Sequence, residues 1–384
     1  MMDPRVTRLA EVLVDYSCGV KKGETVGIVG IGTDTLPLVK ELHRLCLLRG
    51  AVHVNYQIRD MEIEKDFYNL AGPEQIAHFP KDEMQFMKSC DCWIAVRAAE
   101  NSMVLANANQ KNFAARAKAL RKIFDERVNN TRWVVTIFPT HGAAQEAKMS
   151  KEEFEDFFFD ATIFDYAGLQ KKQRKLAALM KKTDQVRIKA SDTDLTLSIK
   201  GIPIISCFGD RNIPDGEVFT APVRDSVNGY IKYNTPSIYQ GKEFDGVYFE
   251  VKNGKIVKAE CGEMTKELNA VMDSDAGARY FGEFAIGTNP KIRRPMRNIL
   301  FDEKIFGSVH LTPGRAYNEA DNGNRSSVHW DLVKILVGDG DLYFDGRLIQ
   351  HNGYFVEKSL LDLNPPKERK LAEKFLARQG SKKK

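Results

Sequence analysis

The residues best suited to chemistry lie between His310 and Asp331, in HLTPGRAYNEADNGNRSSVHWD, which holds two of the chain's seven histidines. If His329-Trp330-Asp331 is a strand, His329 and Asp331 project from one face, because side chains alternate with period two. With His310 and Tyr317 upstream they make half of a metal site. Carboxylates for the other half stand earlier. Glu217 follows a Pro-Gly bend in NIPDGEVFTAP (212–222), where its plain reading is a solvated turn residue. Glu283 lies inside the apolar run of RYFGEFAIGTN (279–289), with Arg279 as a possible partner. A carboxylate there is costly unless it is paired or holds a cation. Together these residues offer carboxylate, imidazole and phenol donors, a set suited to zinc, cobalt or manganese. Six donors, one able to bridge, exceed what a single catalytic ion with an open position takes, and suit two ions sharing a ligand. An alternative uses fewer: His310, His329 and Asp331 alone form the two-histidine, one-carboxylate set of non-haem iron oxygenases, here a ring-cleaving dioxygenase. A third reading is a metal-stabilised binding protein without activity.

The elements that must position these residues change character midway. The chain has 384 residues and implies two domains. Asp3-Pro4 opens a helix. Short apolar strands at 25–30, 51–56, 92–97 and 133–139 alternate with helices such as 36–48, the pattern of a parallel sheet covered on both faces. Gly27, Gly30 and Gly32 do not keep the dinucleotide fingerprint, and no P-loop lysine follows. His43, His53 and His78 read as structural, while His141, after Phe138-Pro139-Thr140, is a weak cleft candidate. Residues 151–182 read as helical. Beyond them 185–190, 195–200, 247–251 and 255–259 alternate apolar and polar, as half-buried antiparallel strands do. The expectation is an α/β N-terminal domain with a parallel sheet (1–183), then a strand-rich α+β catalytic domain (184–370) and a basic, flexible tail (371–384).

Bulk composition excludes several classes. A net charge of +5 is modest and concentrated in the tail, which reads as a solvated end rather than a nucleic-acid arm. Six cysteines in so long a chain are no disulfide framework, and Cys90 and Cys92 read as buried thiols. No stretch reads as a signal peptide or a membrane span. Free thiols and the missing export signal point to the cytoplasm, with neither nucleic acid nor membrane as partner.

The series GEVFTAP, GEFAIGTNP, GSVH and SSVHWD, in that order, resembles the thermophilic-type metalloaminopeptidases, the aminopeptidase T, aminopeptidase S and aminopeptidase II-like family. The resemblance extends to VKKGETVGI near the N-terminus and to DTDLTL, so it covers nearly the whole chain. It implies Glu217, Glu283, His310, Tyr317, His329 and Asp331 as metal ligands, with Glu217, Glu283 and Tyr317 also catalytic and Glu283 the favoured bridge. It further implies two divalent ions (zinc, cobalt, manganese or magnesium), peptide substrates with a free N-terminus, release of N-terminal amino acids by metal-activated water, and a homodimer. Tyr317 would ligate or donate to the oxyanion, while Arg315 and Lys304 would anchor a peptide carboxylate. Pro313 and the 318–325 loop depart from the family pattern and bear on pocket shape.

Overall fold

The computed structural model describes residues 3–381. The chain forms two compact units, one running to Phe164 and including Gly209–Pro214, the other comprising Asp165–Phe208 and everything from Asp215.

In the first unit, strands Thr25–Ile31, His53–Arg59, Cys92–Arg97, Arg132–Ile137 and Asn212–Ile213 build a parallel sheet. The His53–Arg59 strand lies at one edge and Thr25–Ile31 beside it, followed by Cys92–Arg97, Arg132–Ile137 and Asn212–Ile213. The chain therefore reverses its direction of sheet growth at Thr25–Ile31. Val26, Ile28, Ile94 and Val134 bury one face. On the other, Val29, Trp93 and Ala95 pack against Phe86 and Met87 of the helix Lys81–Ser89 and Ile123 of the helix Arg121–Asn130. Burial on both faces explains why these strands read as continuous apolar runs.

The second unit is antiparallel. An eight-stranded sheet contains Gln185–Ala190, Thr193–Ser198, Tyr248–Lys252 and Lys255–Glu260, where alternation marked half-buried strands. Asn253 and Gly254 turn that last hairpin at φ 49° and 79°, the left-handed pair that a two-residue turn demands. A five-stranded sheet follows the order Leu332–Ile335, Ser308–Pro313, Phe281–Gly287, Glu217–Thr220, Ile205–Cys207. This α/β unit and strand-rich unit are the expected fold classes.

Two details differ from expectation. The helix Tyr166–Met180 belongs to the second unit, so that unit begins at Asp165 rather than 184. Its buried face is the reason: Gln173, fully buried, donates from Nε2 to Cys207 O at 2.9 Å, Glu217 O at 3.1 Å and Thr288 Oγ1 at 3.0 Å. The expected flexible tail is helical, Pro366–Ser381, with Ala372 fully buried. Residues 382–384 of that tail lie outside the described residues. No helix among the described residues is long and apolar enough to cross a membrane.

Gln173 ties two strands of the five-stranded sheet to a helix through one amide. Gln173→Leu should leave those buried acceptors unmet and cost about 1–3 kcal/mol, read from urea unfolding.

A candidate metal centre on the five-stranded sheet

The site is assembled by neighbouring strands. Glu217 opens its strand opposite Gly287, and His310 lies opposite Ala285 across the next ladder. The pairing of Phe281–Gly287 with Ser308–Pro313 slips between Phe281 and Glu283, a bulge at Gly282. Bulges re-aim the next side chain. Only glycine fits here, since a Cβ on Gly282 would lie 2.4 Å from the backbone of Arg315 and 2.5 Å from Gly314 O. The local cause of Glu283's direction is therefore the Gly-Glu pair itself.

Five of the six expected residues converge on each other's ligand atoms. His310 Nε2 lies 3.1 Å from Glu283 Oε1 and 3.6 Å from Glu217 Oε2. His329 Nε2 lies 3.7 Å from Glu283 Oε2 and 3.6 Å from Asp331 Oδ1. Tyr317 is the sixth. It stands at the rim, 42% exposed, its ring 4.5 Å from that of His329 and 5.8 Å from that of Phe219. The protein packed around its hydroxyl, then Glu283 and Asp331, push the phenol well above its usual pKa. His329-Trp330-Asp331 is extended but is not a strand: His329 makes a single bridge to Gly314, and the strand starts at Leu332. The two side chains still meet. Among the other histidines, His141 is exposed at the head of the helix His141–Glu146, in no ligand group.

The atoms left without partners identify what fits. His329 Nδ1 bonds Arg315 O at 2.8 Å, so it is the donor and Nε2 carries a lone pair. That lone pair faces two carboxylates with nothing to share. Glu217 Oε2, Glu283 Oε2, His329 Nε2 and His310 Nδ1 are all buried without a hydrogen-bond partner. Three of these four are lone-pair donors, which a bound cation would satisfy. Two groups of three donors meet its needs: Glu217, Glu283 and His310, and Glu283, His329 and Asp331. A further group, Cys207, Asp215 and Glu217, already holds a fixed cation. Lys304 Nζ lies there, 2.6 Å from Glu217 and 3.6 Å from Asp215, and burial keeps the Cys207 thiol protonated.

Lys304 corrects one expectation. It is 1% exposed and bound to Glu217 and, at 2.6 Å, Glu303, so it cannot receive a peptide carboxylate. Burial opposes its charge, but Glu217, Glu303 and Asp215 outweigh this and raise its pKa well above the usual range. Sequence reasoning passed over Glu303 and Asp215. Their only signal was acidity beside residues already chosen. Burial pushes Glu303 up to about 8 in spite of Lys304, and raises Glu283 in spite of His310. His310 itself rises to about 9, since the carboxylates of Glu283 and Glu217 overcome its burial. Burial also opposes ionisation of Asp331, but His329, His310 and the Thr312 hydroxyl at 2.5 Å hold its pKa low. Arg279, the suggested partner of Glu283, pairs instead with Asp273.

Carboxylates and imidazoles converging on shared positions make a candidate metal site. The chain belongs to the thermophilic metalloprotease (M29) family, whose model matches residues 2–354. It is similar to aminopeptidase AmpS of Bacillus subtilis (strain 168), 27% identical over 89% of this chain and 94% of the relative. It is also similar to aminopeptidase 2 of Geobacillus stearothermophilus, 25% identical over 90% and 94%. Its fold matches wild-type AmpT from Thermus thermophilus with a TM-score of 0.80, over 93% of this chain and 100% of that one, at 22% identity.

The titrating groups give the metal-free protein a definite pH dependence. Burial raises Asp302 to about 7, although Met296 N donates to it at 2.6 Å. A carboxyl raised above its unfolded value stabilises the fold at low pH, and that stabilisation is lost as pH climbs through the folded pKa. Glu303, at about 8, and His310, at about 9, carry the same sign. The melting temperature of chelator-treated protein should therefore fall steadily from pH 5 to pH 9. Asp302→Asn should flatten the part below about pH 7.

Proposed function

We propose that the chain is an aminopeptidase working with two divalent cations, one held by Glu217, Glu283 and His310, the other by Glu283, His329 and Asp331. The observation that carries this reading is that both donor groups contain Glu283. A residue common to two sites is the natural bridge. The names of the similar proteins support the exopeptidase assignment. Carboxylate and imidazole donors suit zinc, cobalt or manganese, with magnesium less well matched to histidine. When bound, such ions supply Lewis acidity and bring a water's pKa toward neutrality.

The remaining work falls to the protein. Lys304 neutralises one oxygen of Glu217 and leaves Oε2 for a cation. The Arg315 carbonyl fixes the tautomer of His329, so that Nε2 faces the site. Glu303 belongs to neither donor group. Its carboxylate, bonded to Lys304, would take the proton released by the attacking water and pass it to the departing amine. Tyr317, at the rim against His329, would donate a hydrogen bond from its hydroxyl to the oxyanion of the tetrahedral intermediate. The reading includes a homodimer, carried from family resemblance, and a reducing cytoplasm, in keeping with six free cysteines.

Elemental analysis of purified protein should find two zinc, cobalt or manganese ions per chain, and a chelator should abolish cleavage of aminoacyl chromogens. One iron per chain with ring-cleaving turnover would sink the peptidase reading. Glu283→Ala should lose both ions and activity; an active, metal-replete variant would remove the bridging role. Glu303→Gln should keep its metal and lower kcat by about 10²–10⁴-fold.

A further inference from the structure

The donors of the second unit are not all held by the sheet. Glu217, Glu283 and His310 stand on hydrogen-bonded strands, Glu217–Thr220, Phe281–Gly287 and Ser308–Pro313. His329 and Asp331 do not. His329 makes a single bridge to Gly314, and the strand that follows begins only at Leu332. Other contacts must fix their direction.

The first comes from Asp275, in the turn after the helix Thr265–Met272. Its Oδ1 accepts from Gly277 N at 2.9 Å, Ala278 N at 3.0 Å and Ser326 Oγ at 2.8 Å. Its Oδ2 accepts from Ser327 N at 2.7 Å and Ser327 Oγ at 2.8 Å. Burial opposes its charge, but these donors, Ser327 foremost, hold its pKa down to about 2. One carboxylate thus ties the turn to the two residues that lead into Val328 and His329.

The second comes from Asn324, which is 1% exposed. Its Nδ2 donates to Gly277 O, in the same turn, at 2.9 Å and to Gly314 O at 2.6 Å. Its Oδ1 accepts from Arg224 Nε at 3.2 Å, and the Arg224 guanidinium lies 3.7 Å from the centre of the Tyr280 ring. Gly314 O shares its peptide group with Arg315 N, which donates to Val328 O at 2.7 Å. Arg315 O then accepts from His329 Nδ1 at 2.8 Å. The path from Asn324 to the imidazole is one peptide group and one residue long. It has little slack, because a Cβ on Gly314 would overlap Val328 O and one on Gly277 would overlap Arg325 O.

We propose that Asp275 and Asn324 are positioning residues for His329. Neither belongs to a donor group, and both act through backbone. They hold the Arg315 carbonyl and the residues before His329 in one arrangement, so that Nε2 stays directed at Glu283 and Asp331. The inference rests on the two-cation reading and adds a selectivity to it. The brace sets the affinity for the cation at Glu283, His329 and Asp331. The cation at Glu217, Glu283 and His310 depends on strand ladders and is indifferent to it.

Cobalt(II) titration of the chelator-treated full chain, followed by calorimetry and by cobalt absorption, tests this. Wild-type protein should take up two ions. Asn324→Ala and Asp275→Asn should each weaken one ion by about 10–100-fold, alter its absorption at saturation and leave the other ion unchanged. Arg224→Met, a milder change that only frees the Asn324 amide, should weaken the same ion by less and decides the matter if Asn324→Ala does not fold. Asn364→Ala is the control for lost stability. Asn364 is also buried and bonds Phe355 N and O, each at 2.8 Å, so its loss should lower the melting temperature while both ions bind as before. A wild type that binds a single ion would end the two-cation reading and the selectivity with it. Two ions in the wild type, with neither weakened in folded variants or both weakened alike, would overturn the brace alone.

Discussion

The structure of the second unit depends on concentrated negative charge placed where water cannot dilute it. Glu217, Glu283, Asp331, Glu303 and Asp215 crowd one region of a buried sheet, and Lys304 is the fixed cation among them. Carboxylates at such separations repel strongly in a medium of low dielectric. The protein answers in two ways. Lys304 settles the side near Asp215 and Glu217, and histidines face the remainder. The charge still left over is what the proposed divalent ions would meet. Without such ions burial favours protonation, as the raised Glu283 and Glu303 show.

The scaffold that tolerates this stress is stiff for reasons unrelated to charge. Antiparallel neighbours put Glu217, Glu283 and His310 on adjacent strands, so their separations follow from the spacing between strands. Gly282 adds the single irregularity, a bulge that turns Glu283 toward the histidines. Gln173 and Thr312 hold the elements at the margins, the first through backbone carbonyls and the second through Asp331. The first unit follows a different plan. Its central strands are apolar on both faces.

Much of this was legible in the chain. Apolar runs separated by helices declared the parallel sheet, and strict alternation declared the antiparallel one, because each pattern is the direct record of which faces are buried. The turn at Asn253-Gly254 could be read from its two residue types. The site residues stood out by a local contradiction, an acid within an apolar run at Glu283 and histidines beside acids in the final motif. What could not be read was pairing over distance. Arg279 looked like a partner of Glu283 and is bound to Asp273. Lys304 looked like a substrate anchor and is a buried counter-ion. The helix Tyr166–Met180 read as part of the first domain, and its buried face, with Gln173 bonded to strands of the second unit, places it there. The C-terminal helix looked like a frayed end, because its lysines mask the buried Ala372.

The sequence by itself determined the inventory: which donors are present and the metallopeptidase family that their order marks. Those are properties of residue type and local period, and they need no knowledge of distant neighbours. Only the tertiary structure decided how the inventory is divided. It grouped Glu283 with both histidine-bearing triads and set Lys304 against a rival cluster. The reason is that pairing, burial and the resulting pKa shifts depend on approach between residues remote in the chain. Glu217 and Lys304 are 87 positions apart and meet at 2.6 Å.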